Sequence, residues 1–311
     1  PGGDKIGDKG EGQSAWPGPD GALTLAQAMT LVKPTSELFQ RWLPEGARSK
    51  SMRAITLCMN IPVRVQLGGG ETLPGAGVLT CKPGEPVALS DLIGRFPRAE
   101  GASVTPSRWG VGGQVLGTAS RAAYQAMCSL FLAPRSALVF DGYNAGKGFD
   151  DYDGTEAGRA LKAGEFEVEV HDRPGNTPVQ WSKATRAGLR ADLVLLNSHG
   201  QRDVFNLADQ PVPCGDVPVL SVPAVVSMVH SWSAVSPLSR WTVGGRWIER
   251  GAYAYVGAVH EPYLAAFVPT PKVAQALATG VPLGLAIRMD MPAWRGAMLG
   301  DPLLVVKKGP R

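Results

Sequence analysis

A chain of 311 residues is long enough for one large domain, or for a domain with an appendage, and either can bury a substantial core. Its 31 basic and 27 acidic residues leave a net charge of only +4, and like charges never occur in runs of five or six. This pattern argues against nucleic-acid binding through a basic arm and against a polybasic membrane anchor. The longest apolar stretch, residues 217–232, is interrupted by two prolines, so we expect no transmembrane segment.

The four cysteines are widely spaced and form no Cys-x-x-Cys pair, which argues against zinc-finger and thioredoxin-type sites. They can form at most one or two disulfides. The first residue is Pro rather than Met, which suggests a processed product or a fragment. The sequence does not determine the cellular compartment, but a processed product favours export, after removal of a signal peptide, over the cytoplasm.

The first 134 residues show no regular alternation of strands and helices. Residues 1–21 are rich in Gly, Asp, Lys and Pro, a composition typical of a flexible tail. Residues 22–134 are predicted to form a less regular, β-containing region. It would include a helix after Thr24, broken by Pro34, and one strand or hairpin arm at 54–67. The Gly- and Pro-rich stretch that follows is either irregular or β-rich, and its sequence pattern does not indicate which elements it forms.

From residue 135 to residue 311 the pattern changes to alternating apolar runs and helical segments. Strands are predicted at 136–142, 165–171, 191–200, 223–231, 251–259 and 302–306. Helices are predicted at 155–163, 180–190, 244–250 and 271–279. Near-continuous runs of Val, Leu and Ala indicate strands covered on both faces. We therefore predict an α/β domain, a three-layer α/β/α sandwich with a mostly parallel sheet of about six strands.

Ligands of such sheets bind just beyond the carboxyl ends of the strands. The first such turn, residues 141–154, lacks the spacing of a phosphate loop. Its Asp151 and Asp153 would supply oxygen ligands to calcium, although the EF-hand spacing is absent and a solvated acidic turn is the simpler interpretation. Apart from this calcium candidate we expect no cofactor. The Gly-rich residues 109–117 lack the third glycine of a dinucleotide-binding fingerprint.

Two later strands end in residues that could react. One ends in Ser-His-Gly at 198–200, and the next ends in Ser-Trp-Ser at 231–233. His199 would serve as a general acid or base near neutral pH, and Gly200 would let the backbone approach a ligand closely. A lone histidine at a strand end is more often structural. The interpretation gains weight because the following strand brings Ser231 to the same edge.

These motifs resemble those of the caspase, legumain and gingipain superfamily of cysteine peptidases. In that family a strand ending in His-Gly carries the catalytic histidine, and the next strand ends in the nucleophilic cysteine. The segments 246–267 and 300–304 (Gly-Asp-Pro-Leu-Leu) resemble the gingipain-like branch, and the similarity covers about residues 135–306. An alignment shifted by one residue would exchange Ser231 for Trp232, but neither side chain is a thiol.

The resemblance implies that His199 and Ser231 form a degenerate catalytic dyad, with Gly200 and Trp232 at the oxyanion turn. Cysteine peptidases depend on an intrinsically nucleophilic thiolate, whereas a serine needs a base that a third group orients. The favoured hypothesis is therefore a pseudopeptidase, an inactive relative that binds a protein or peptide or takes part in assembly. Its oligomeric state is open.

Two alternatives remain. One is a cysteine peptidase whose Cys at position 231 has been changed to Ser. The other is an active hydrolase of peptide or ester bonds, in which Asp203, Glu261 or Asp301 orients His199. Glu261 and Asp301 would also border the cleft, where Glu261 would recognise a basic side chain or remain a solvated loop carboxylate.

Three further side chains are expected to be structural. His230 lies on the strand next to the dyad and is predicted to be a core or strand-end group. Trp241 and Trp247 flank a Gly-Gly pair, and we expect both to pack in the core rather than to form a ligand platform.

Overall fold

The computed structural model describes residues 17–18, 20–41, 53–73, 79–93, 110–146, 148–261, 263–289 and 294–306. Its strands are β1 (Ala22–Thr24), β2 (Arg53–Leu57), β3 (Arg64–Gln66), β4 (Pro86–Ala88), β5 (Gly110–Gln114), β6 (Ser136–Asp141), β7 (Glu167–His171), β8 (Leu193–Asn197), β9 (His199–Gln201), β10 (Val204–Leu207), β11 (Gln210–Pro213), β12 (Ala224–Val229), β13 (Ala252–Ala258) and β14 (Gly296–Leu299). Its helices are α1 (Leu25–Arg41), α2 (Leu89–Leu92), α3 (Ala119–Phe131), α4 (Gly154–Ala163), α5 (Pro178–Thr185), α6 (Val243–Glu249), α7 (Thr270–Ala278) and α8 (Leu283–Ala286).

Eight strands form one large sheet in the order β2-β5-β14-β13-β12-β8-β6-β7. All neighbours are parallel except β13 and β14, which pair antiparallel. The strands β6, β8, β12 and β13 therefore all end at the same edge of the sheet. The predicted α/β class with a mostly parallel sheet is confirmed, with eight strands rather than about six.

Two of the additional strands, β2 and β5, come from the region predicted to be less regular. The predicted strand at 54–67 is in fact two strands, because β2 joins the large sheet whereas β3 pairs with β1 and β4 in a small one. Strand β5 is Gly-rich yet completely buried. A Cβ atom on Gly112 would lie 2.8 Å from the Ser90 carbonyl oxygen, and one on Gly113 would lie 2.3 Å from the Gly300 carbonyl oxygen. Glycine is needed here because neighbouring backbone approaches closely. The large sheet therefore includes strands from both before and after residue 135.

The last strand of the sheet is β14, and the prediction of a strand at 302–306 is wrong. A turn occupies the start of this range, where the Asp301 carboxylate accepts a hydrogen bond from the Leu303 N–H at 2.9 Å. Leu304 and Val306 are nevertheless buried, which explains why the segment has the apolar pattern of a strand. The other strands and helices predicted after residue 135 overlap the observed elements.

Both faces of the sheet are covered, because alternate residues of the same strands belong to different buried clusters. On one face, Phe140 of β6 contacts Trp181 of α5 edge to face, with ring centroids 5.1 Å apart, and Trp181 contacts Trp247 of α6 at 6.2 Å. On the other face, Val139 of β6 belongs to a buried cluster that includes residues of α4 and α7. The sheet is thereby a rigid base for the loops at its edge.

Three other predictions concern the chain ends, the thiols and membranes. Of the predicted tail, residues 1–16 and 19 lie outside the described residues. All four cysteines are free thiols, Cys58 exposed and the others buried, so the disulfides that the sequence allowed are not formed. Within the described part of the chain, no helix combines the length and the apolar character needed to cross a membrane.

Candidate functional site

A cleft of about 740 Å³ opens at the edge where β8, β12 and β13 end. Five of the predicted site residues line it together: His199, Gly200, Ser231, Trp232 and Glu261. They meet because the neighbouring strands β8 and β12 are parallel, so the loops after them start side by side.

Asp301 and Asp203, by contrast, are not among the residues that line the cleft. Asp301 forms the turn after β14, and its carboxylate accepts a hydrogen bond from the Thr56 hydroxyl of β2 at 3.5 Å. Asp203 lies in the turn between β9 and β10, where its carbonyl oxygen accepts a hydrogen bond from the Cys214 N–H. The position predicted for Asp301 at the cleft needs correction, because β14 carries that residue to the β2 side of the sheet.

The backbone at His199 is held by its neighbours on both sides. The Ser198 N–H donates to the Val229 carbonyl of β12 at 3.0 Å, and the Ser198 hydroxyl donates to the Asn206 carbonyl of β10 at 2.9 Å. Gly200 packs so closely that a Cβ atom would lie 2.3 Å from the Val204 carbonyl oxygen. The His199 backbone is thus fixed by hydrogen bonds and by a position that only glycine can occupy.

The His199 imidazole pairs with a carboxylate that the sequence did not indicate. Its Nε2 lies 3.4 Å from Oδ1 of Asp209, in the tight turn between β10 and β11, where Asp209 has a φ of 61°. The ring lies parallel to those of Tyr143 and Phe149, at centroid distances of 6.2 and 6.4 Å. Nδ1 is buried and has no hydrogen-bond partner among the described residues. Among the described residues, Asp209 is therefore the carboxylate in contact with His199, in place of the three carboxylates considered from sequence.

Ser231 directs its hydroxyl to a different carboxylate. Its Oγ donates to Oε1 of Glu261 at 2.9 Å, and the same oxygen accepts the Tyr263 N–H at 3.1 Å. In the described structure no hydrogen bond joins Ser231 to His199. The two members of the predicted dyad are consequently in separate pairs, His199 with Asp209 and Ser231 with Glu261.

The backbone N–H of Trp232, which an oxyanion turn would need to leave free, already forms a hydrogen bond within the protein. It donates to the carbonyl oxygen of His260 at 3.3 Å, and the Trp232 indole contacts the His260 imidazole edge to face at 5.6 Å. The residue is half-buried with a φ of 54°. Since this N–H is already used within the protein, Trp232 is a wall of the cleft rather than a donor for a developing oxyanion.

A buried arginine holds the loop that carries Glu261. Nη1 of Arg295 donates to the Glu261 carbonyl oxygen and contacts Nδ1 of His260 at 2.6 Å, while Nη2 pairs with Oε2 of Glu85 at 2.7 Å. Burial and the nearby guanidinium lower the pKa of His260. Through Arg295, the N-terminal region at Glu85 helps to fix the cleft wall and thereby the carboxylate beside Ser231.

Beneath the cleft lies a second histidine, His230, which is completely buried as expected from sequence. Its Nε2 donates to the Gln201 carbonyl oxygen at 2.9 Å, whereas Nδ1 has no partner among the described residues. Burial lowers the pKa of His230 to about 4. His230 is thus neutral at neutral pH and carries no charge into the cleft.

The strand ends under the cleft are joined by buried polar groups. Asn197, the last residue of β8, donates from Nδ2 to the Tyr152 carbonyl oxygen at 2.6 Å. Asp141, the last residue of β6, accepts the N–H groups of Tyr143 and Gly154 at 3.1 and 3.2 Å. Burial raises the pKa of Asp141 to about 6, against the effect of these donors. The network positions Tyr143 under His199 and fixes the start of α4.

The acidic turn before α4 is explained by helix capping. Asp153 is the N-cap residue of α4, and its carboxylate accepts the Glu156 N–H at 2.7 Å. Asp151 lies in the short 3₁₀ helix Phe149–Tyr152. Among the residues described, no group of three or more His, Cys, Asp or Glu side chains is arranged to hold a metal ion. The capping contact gives Asp153 a structural role.

No family model matches the chain, and no curated protein is significantly similar to it. The class of the site is therefore defined by its own geometry. It is a cleft at the carboxyl edge of a mostly parallel sheet, with one histidine–carboxylate pair and one serine–carboxylate pair on adjoining loops.

Proposed function

We propose that the chain is a non-catalytic relative of the caspase, legumain and gingipain peptidases and that it uses the ancestral cleft to bind a protein or peptide. The observation that carries the proposal is the hydrogen bond from Ser231 to Glu261. A serine becomes a nucleophile when a base accepts its proton, and His199 has no hydrogen bond with this hydroxyl in the described structure.

Two features support kinship with that peptidase superfamily. The Ser-His-Gly and Ser-Trp-Ser motifs follow adjacent parallel strands, and both reach one cleft. Three-layer α/β/α packing fits the buried clusters on the two faces of the sheet. Cleft and fold are retained on this view, whereas the chemistry of the thiolate is lost.

The lining of the cleft suits an extended peptide with a basic side chain. Phe149, Trp232, Tyr263 and Phe267 supply aromatic surface, and Glu261 supplies a carboxylate at half-buried depth. Aromatic faces and a carboxylate both attract an ammonium or guanidinium group. A protein or peptide partner is thus the ligand class that the cleft favours.

The absence of catalysis is tested with a serine-reactive fluorophosphonate probe. We expect the probe to leave Ser231 unlabelled, because the hydroxyl donates to Glu261 rather than to a histidine base. Mass spectrometry of the Ser231 peptide provides the readout, with an active serine hydrolase as the positive control. Labelling that disappears in His199→Ala would show instead that Ser231 is an activated nucleophile with His199 as its base, and would contradict the non-catalytic assignment.

The binding role is tested on an array of end-capped hexapeptides that differ at one central position. We expect Lys- and Arg-containing peptides to bind best and Glu261→Gln to weaken their binding at least about tenfold, because the variant removes the charge on the wall. Glu167→Gln, an exposed carboxylate at the start of β7, is the matched control and should bind as the wild type does. Equal binding of basic and acidic peptides would contradict this assignment.

A further inference from the structure

Helix α3 presents a large apolar surface to solvent. Met127, Leu130, Phe131 and Leu132 are 58%, 73%, 76% and 38% exposed, and we call these four residues the α3 surface. The opposite side of the helix is packed, since Gln125 and Cys128 are buried. Scattered single apolar residues are normal on protein surfaces, but Met127 lies three and four positions before Leu130 and Phe131, so these side chains share one side of the helix end.

The α3 surface lies far from the cleft, at the opposite edge of the sheet. The Tyr124 hydroxyl donates to the Gly251 carbonyl just before β13 begins, at 2.7 Å. After the helix, the Arg135 N–H donates to the Asp192 carboxylate just before β8 begins, at 3.0 Å. Because the cleft lies where these strands end, a partner on α3 would leave it open.

The α3 surface carries no charged side chain. Residues 122–134 contain no charged side chain, a run of uncharged positions flanked by Arg121 and Arg135. Exposed Ala123 and Ala126 add small side chains beside the large ones, which allows a second helix to approach. Two identical copies of such a surface can meet across a two-fold axis without placing like charges opposite each other.

The exposed area is close to what a stable pair requires. Fully exposed large apolar side chains present about 150–200 Å² each, so the α3 surface offers roughly 450 Å² per copy. Two copies would bury roughly 900 Å² from these side chains alone, near the ~1,200 Å² at the low end of specific interfaces before backbone and alanine surface are counted.

We propose that a second copy of this chain covers the α3 surface, so that the protein is an isologous dimer with its two clefts facing outward. Burial of Leu130 and Phe131 against the same residues of the other copy supplies most of the attraction. The dimer would present two binding clefts at once and so would bind a repeated or multivalent partner more tightly than one copy does.

Sedimentation velocity of the full chain between about 1 and 100 µM tests the proposal. We expect a concentration-dependent monomer–dimer equilibrium, and we expect Met127→Lys or Leu130→Lys to raise the dissociation constant at least about tenfold by burying an unpaired charge. Val179→Lys is the matched control, because Val179 on α5 is a 62% exposed apolar residue outside the patch, and it should dimerise as the wild type does.

Urea midpoints of the three variants show whether each remains folded, and substitutions at exposed positions should leave them close to the wild type. A monomeric wild type at every concentration would overturn the proposal, as would dimers that persist in both α3 variants. A monomeric wild type that sediments with phosphatidylcholine vesicles, when Leu130→Lys does not, would identify the α3 surface as a lipid contact instead and would also overturn the proposal.

Discussion

Replacing Ser231 by Cys and Glu261 by Gln together should give a thiol that iodoacetamide alkylates at least about tenfold faster at pH 7 than the thiol of Ser231→Cys alone. The reason is the carboxylate oxygen that lies 2.9 Å from the Ser231 hydroxyl. A negative charge at this distance disfavours a thiolate and raises its pKa, and each unit of pKa changes the thiolate fraction about tenfold near neutral pH. Gln keeps the shape and a hydrogen-bonding group while it removes the charge.

The alkylation rate is followed by mass spectrometry of the peptide that contains residue 231, across a range of pH. Cys58 is exposed in every variant and serves as an internal reference whose rate should not change. The pH at half-maximal rate should be lower in the double variant by one unit or more, about the size of shift that a close carboxylate causes. Equal rates in the two variants would mean that Glu261 does not suppress a nucleophile at position 231, and the Ser231–Glu261 hydrogen bond would then not explain a loss of catalysis.

This experiment also separates two of the interpretations that the sequence left open. A cysteine peptidase changed only at position 231 should regain its thiol chemistry with Ser231→Cys alone. If the site has diverged further, reactivity requires the change at Glu261 as well, because the loop held by Arg295 places the carboxylate against residue 231. The electrostatics of the cleft, rather than the missing sulfur alone, would then explain inactivity.

The sequence was sufficient to place His199 and Ser231 together. Both follow near-continuous apolar runs, which predict buried parallel strands, and neighbouring parallel strands end at one edge. The structure pairs β8 with β12 in parallel, and both residues line the same cleft. This part of the site was predictable because it depends on local pattern and on a general rule of sheet topology.

The carboxylate partners were not predictable in the same way. Asp209 reaches His199 because a tight turn folds β11 back on β10, and Glu261 reaches Ser231 on a loop held by Arg295. The Arg295–Glu85 contact joins residues 210 positions apart in the chain. A single sequence contains no local signal for such contacts, so the pairing of charges in the cleft required the three-dimensional structure.

Two other predictions from the sequence were wrong for specific physical reasons. Strand β5 was missed because its glycines resemble a loop, although they serve close contact with neighbouring backbone. The prediction that Trp241 packs in the core is wrong, since it is 65% exposed and lies against the Arg240 guanidinium, 5.0 Å from the ring centroid. Trp247 does pack in the core. The two residues look equivalent in sequence. Trp241 precedes α6, which begins at Val243, whereas Trp247 lies within this helix.

Acidification should destabilise the protein through His230, by about 2 kcal/mol between pH 7 and pH 5 and about 3 kcal/mol by pH 4. Burial lowers the pKa of this imidazole to about 4 in the folded state, below the usual value of about 6.5 that the unfolded chain has. The unfolded state therefore binds the proton first as the pH falls. The stability is complete above pH 6.5 and is lost progressively as the pH drops towards 4.

Urea unfolding of the wild type and of His230→Gln at several pH values between 5 and 7 measures this contribution. Gln retains a donor for the Gln201 carbonyl but does not ionise, so the free energy of unfolding of the variant should fall by about 2 kcal/mol less than that of the wild type. Asp141, whose burial raises its pKa to about 6, acts in the opposite direction, but it is present in both proteins and cancels in the difference. If the wild type and His230→Gln lose stability in parallel, His230 is not the acid-sensitive group. If they diverge as expected, His230 is the group whose proton uptake destabilises the fold below neutral pH.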